Sequence, residues 1–179
     1  QIHLGVFNPM HKTEMDEMIR IMYSWLHVCH KYSKYECGRT LNIYLYLTEH
    51  KKLFPTDDNT VLHASNANTA YTFACAIHNT MVIYRREEWF KVFIHECLHA
   101  YGFEPSNENE TRLSKGLMTR ISVPSNVRVS ETYVETWARI INTCYSAILQ
   151  SKDFKCFIHY TTVYLNVESI FSAIQASRI

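Results

Sequence analysis

"FKVFIHECLHAYGFE", residues 90–104, decides how this chain is to be read. The segment is apolar on nearly every side and closes on Gly102, a residue suited to ending a helix. A helix of that kind belongs at the centre of a fold. Inside it stand His95, Glu96 and His99. Residues four apart share a helix face, so the two imidazoles can grip one ion from a single rigid element. Glu96 is turned by about 100° from His95 and lies beside such an ion rather than on it. Two zinc ligands and a carboxylate able to take a proton from a zinc-activated water are what hydrolytic zinc chemistry requires. Satisfied core histidines or a solvated stripe fit less well, because three polar groups in a buried helix are costly without a shared purpose. Cys97, about 200° from His95, is expected to face the core.

A third ligand must come from elsewhere. No histidine follows His99 until His159, and Pro105 stands where a metzincin would place its third histidine. Glu131 and Glu135, in "SETYVETWARIIN" (130–142), lie four apart on one face of a second apolar helix. One can complete the metal set while the other holds a ligand histidine by its free ring nitrogen. The plainer reading is two solvated glutamates at a helix start, where the dipole favours them.

Outward from these blocks, Met15, Met18, Ile19, Met22, Trp25, Leu26 and Cys29 recur at helical spacing, predicting a helix from Thr13 to about Tyr35. "LNIYLYLT" (41–48) reads as a strand, and Val61 to Arg86 as two or three more, the last ending near Arg85. Residues 105–129 are polar, with a short helix around 109–119. Ser130 is expected to cap the helix that carries Glu131, and a last helix covers roughly 163–176. The order is helix, mixed sheet, buried helix, loop, helix, helix: an α+β fold in one domain, 1–179, with sheet and central helix through 104 and a mainly helical part from 105. Trp89, Phe90 and Phe93 read as core, and Arg85, Arg86 and Lys91 as solvated or paired with Glu87 and Glu88.

With 18 basic and 17 acidic residues the net charge is +1, and no basic run interleaved with aromatics suits a phosphate backbone. Nucleic acid is therefore not an expected partner. No apolar stretch reaches the roughly 18 residues of a membrane span, and "QIHLGVFNPM" lacks a secretory pattern. Six widely spread cysteines in apolar surroundings predict free thiols, a reducing compartment and an intracellular location.

The pairing of His-Glu-x-x-His with a later Glu-x-x-x-Glu resembles the gluzincins, including lethal-factor-type toxin peptidases. "VIYRREEWFKVFIHECLHAYGFEPS" (82–106) and "SETYVETWARIIN" are similar, more closely, to metallopeptidase-like proteins encoded by large nucleocytoplasmic DNA viruses. The resemblance implies a zincin-like fold with Zn2+ on His95, His99 and Glu131. It makes Glu96 general base and later proton donor, and sets Glu135 to orient a ligand. It also implies that a sheet edge within Asn66 to Phe73, including Asn66, Asn68 and Thr69, pairs with extended substrate. Tyr101, Tyr160, Tyr164 and His159 are candidates for steadying the oxyanion. The implied activity is a zinc endopeptidase acting on protein or peptide in host cytoplasm, virus factory or virion. The alternative is a virion structural protein that keeps the fold and metal site to bind other virion proteins.

Overall fold

The computed structural model describes residues 1–5, 10–33, 36–53, 68–120 and 127–176. Four strands, β1 (Ile2–Leu4), β2 (Thr40–Thr48), β3 (Ala70–Thr72) and β4 (His78–Arg85), form one sheet in the order β1-β2-β4-β3. β1, β2 and β4 run parallel, and β3 closes one edge antiparallel to β4. Among the described residues there are five helices, α1 (Lys12–Tyr32), α2 (Trp89–Ala100), α3 (Asn107–Met118), α4 (Val129–Gln150) and α5 (Phe154–Ala176). The described residues thus form a mixed α+β structure.

Alternation along the two central strands sets which face is covered. Leu41, Ile43 and Leu45 of β2 are buried, as are Met81 and Ile83 of β4. The register pairs Ile43 with Met81 and Leu45 with Ile83, so these side chains form rows on one face. α2 packs against β3 and β4, with α1 beside it. Met18, Met22, Trp25 and Cys29 of α1 enter the same core as Phe93, Ile94, Cys97 and Leu98 of α2. α4 lies on α2, and α5 on α4. The histidine helix is therefore enclosed by sheet, α1 and α4, as its all-round apolarity requires. Trp89 and Phe90 are half-buried against that core.

Several expectations shift. α1 stops at Tyr32, α4 begins one residue before Ser130, and α5 starts at Phe154, nine residues earlier than the periodicity indicates. Ser130 is not a cap: its hydroxyl donates to Glu110 Oε1 at 2.8 Å, tying α4 to α3. The strand β1 is additional, and three residues carry no periodicity to announce it; pairing with β2 makes it a strand. Arg85 is buried, and Arg86 pairs with Glu14 of α1 at 2.8 Å rather than with its sequence neighbours.

The cysteine expectation is corrected. Cys37 and Cys75 form a disulfide, and Cys29, Cys97, Cys144 and Cys156 are free. The reason is tertiary: Gly38 N donates to Ala76 O at 2.8 Å, which joins the entry of β2 to the β3–β4 turn and sets two distant cysteines side by side. Cys97 is buried, as its helical angle predicts.

Candidate metal centre

α2 presents its two histidines from the face turned toward α4. His95 Nε2 and His99 Nε2 lie 3.0 Å apart, and Glu131 Oε2, from the first turn of α4, is 3.5 Å from the former and 3.6 Å from the latter. Three ligands held at 2.0–2.1 Å in a tetrahedral arrangement would be about 3.3–3.4 Å from one another. The observed triangle matches that spacing, and its donors, two imidazole nitrogens and one carboxylate oxygen, are those of catalytic zinc sites. His95, His99 and Glu131 can hold a metal ion.

Each histidine is steadied by its other ring nitrogen. His95 Nδ1 is 3.2 Å from Glu135 Oε2, while Glu135 Oε1 accepts from Lys91 Nζ at 2.9 Å and Arg139 Nε at 2.8 Å. Burial alone would raise the Glu135 carboxyl, but the His95 hydrogen bond, the Lys91 charge and the hydrogen bonds from Lys91 and Arg139 together hold it well below the usual glutamate range. An ionised Glu135 accepts the Nδ1 proton, leaving the Nε2 lone pair of His95 free for a metal. On the other side, His99 Nδ1 makes a close contact with Glu104 Oε1.

That second pairing depends on how α2 ends. Gly102 N donates to His99 O at 3.1 Å and Phe103 N to Leu98 O at 2.9 Å, a Schellman closure with Gly102 in the left-handed region at φ 69°. The chain reverses there and returns Glu104 to the helix it has just left. A Cβ at Gly102 would sit 3.0 Å from Cys37 Sγ, so the disulfide also presses on this turn. Cys75 N donates to His99 O at 3.0 Å, linking the disulfide to the ligand helix directly.

A cavity of about 210 Å³ opens beside the triangle, lined by His95, Glu96, Glu131, Glu135, Asn68 and Thr69 among others. Glu96 is buried at its wall, and burial, with a further contribution from the Glu131 charge, pushes its carboxyl above the ordinary value against the lowering influence of His95 and His99. Asn68 and Thr69 lead into β3, and Tyr84 N donates to Thr69 O at 3.1 Å, where edge pairing begins. Thr69 is buried and its hydroxyl has no hydrogen-bond partner among the described residues. Asn66 lies outside the described residues.

The four candidate oxyanion groups do not line this cavity. Tyr101 is buried against Gly38, Tyr164 donates to Gln150 at 2.6 Å, and His159 and Tyr160 belong to α5. Sequence reasoning missed Glu104, Lys91 and Arg139 as members of the site. Arg139 stands four residues after Glu135 on one helix face, a signal available in principle; Glu104 lies beyond a helix end, where no periodicity reaches. No protein-family model, curated protein or solved structure matches this chain. No described helix is long and apolar enough to cross a membrane.

Proposed function

We propose that this chain is a zinc-dependent endopeptidase of the gluzincin kind, with His95, His99 and Glu131 holding the metal. The ligand triangle carries the proposal, because its three separations agree with one small ion shared by two imidazoles and a carboxylate. When bound, zinc supplies a Lewis acid for the scissile carbonyl and an acidified water.

The chain's own residues do the rest. Glu96, next to His95 and at the cavity wall, takes the proton of the attacking water and returns it to the departing amine. A buried carboxyl with a raised affinity for protons suits that shuttle. Glu135 and Glu104 hold the imidazoles in one tautomer and one orientation. The edge strand β3 supports main-chain pairing with an extended peptide beside Glu96, since among the described residues its outer edge has no strand neighbour. A viral setting is part of this proposal, motivated only by the resemblance of residues 82–106 and 130–142 to viral metallopeptidase-like proteins.

Glu96→Gln tests the proposal. Zinc content and melting temperature should stay as in the wild type, while cleavage of a broad peptide library falls by several orders of magnitude. Zinc-loaded wild-type protein that cuts no peptide in such a library would refute the peptidase and favour the structural role.

A further inference from the structure

We propose that α5 is a self-association element through which two copies of this chain pair. α5 is 23 residues long, apolar around most of its circumference, and contains no buried residue. A helix of this composition is ordinarily buried. Its contacts with α4 use one side: Arg139 Nη1 reaches Glu168 Oε2 at 3.3 Å and Ser172 Oγ at 3.0 Å, and Tyr164 donates to Gln150.

A second side carries a different pattern. Cys156, Tyr160, Val163, Val167, Ile170 and Ile174 follow one another at intervals of four, three, four, three and four. That is the a/d spacing of a helix-pairing seam, about 27 Å long at 1.5 Å per residue. Val163, Val167 and Ile170 are 41%, 60% and 62% exposed. With their neighbours they leave on the order of 400 Å² of apolar side chain in water, a patch size associated with interaction sites. Interfaces are about 56–58% apolar, so this corresponds to roughly 700 Å² per copy, close to the ~800 Å² each partner buries in a stable pair.

A second copy is the occupant the flanks favour. Three residues beside the seam, His159, Asn166 and Ala173, carry no carboxylate, lysine or arginine, so identical surfaces meet without like-charge repulsion. A charged partner would find nothing there to pair with. A lipid surface fits poorly as well, because the described helix has one lysine and no arginine to meet anionic headgroups. β-branched residues at both a and d disfavour a bare two-stranded coil and suit assemblies of more helices. Two α4–α5 hairpins bring four.

Sedimentation of the full chain at micromolar concentration tests this. The wild type should be a dimer, and Val167→Glu combined with Ile170→Glu should be a monomer with an unchanged melting temperature and zinc content. Ile158→Glu, an exposed change on the opposite side of α5, should stay dimeric. If the double variant folds poorly, Ile170→Ser should still weaken dimerisation by about tenfold or more, since each copy loses a buried isoleucine. A monomeric wild type, a double glutamate variant that stays dimeric, or a monomer that instead floats with phosphatidylcholine–phosphatidylserine vesicles would overturn the proposal. None of these readouts depends on peptidase activity.

Discussion

Glu135 Oε2 sits 3.2 Å from His95 Nδ1, while Glu131, one helical turn earlier, approaches the Nε2 atoms of both histidines. The two glutamates of one α4 face therefore have different work, and their variants should differ. Glu135→Gln is expected to weaken zinc binding by about 10–100-fold, the usual effect of losing a carboxylate that supports a ligand histidine. Glu131→Gln should weaken it more. Competition against a chromogenic chelator gives the order, and the reverse order would exchange the two roles.

Glu104→Gln should lower zinc affinity by about tenfold or more without unfolding the protein, because His99 loses the carboxylate that fixes its ring. Gly102→Ala should do the same indirectly. Its φ of 69° adds about 1–2 kcal/mol of backbone strain, and its methyl group meets Cys37 Sγ. Measured melting of the two variants separates the routes: Gly102→Ala lowers stability and affinity together, Glu104→Gln mainly affinity.

Thiol titration of unreduced, denatured protein should find four groups, and six after reduction. The disulfide closes a sequence separation of 38, for which chain entropy predicts a contribution of about 4 kcal/mol. Cys37→Ser with Cys75→Ser should lower the unfolding midpoint accordingly. Because Cys75 N is bonded to His99 O, zinc affinity should fall as well. Six titratable thiols without reductant would remove the disulfide.

Thr69→Val discriminates a substrate contact from a packing residue. Its buried hydroxyl is without a partner among the described residues, a state that costs about 1–3 kcal/mol, so valine should leave stability unchanged or raise it. Peptide cleavage should become less efficient, read as an increase in KM with zinc content unaltered. Unchanged kinetics would move substrate away from the entry to β3.

The ligand helix was legible because its signal is local. His95, Glu96 and His99 lie within five residues of chain, and helical rotation alone dictates that the imidazoles face together while Cys97 turns inward. The same holds for Glu131 and Glu135 on α4, and for the alternation that buries Leu41, Ile43 and Leu45 in β2. Periodicity states which side of an element is apolar, and it does so without knowledge of the partner.

What the chain assembles across distance had no such signature. The meeting of Cys37 with Cys75 follows from the β2 entry packing on the β3–β4 turn, and that contact exists only in three dimensions. Arg86 pairs with Glu14 from the far side of the sequence, although acidic neighbours stand directly beside it. Glu104 reaches His99 because Gly102 reverses the chain, and Lys91 reaches Glu135 because α2 and α4 lie side by side. The sequence by itself determined the main helices, the central strands and the residue types able to bind a metal, since each depends on neighbours along the chain, whereas β1 is a strand only through its pairing with β2. Only the tertiary structure decided which carboxylate faces the histidine pair and which ones hold the rings, because those choices depend on how separate elements are docked.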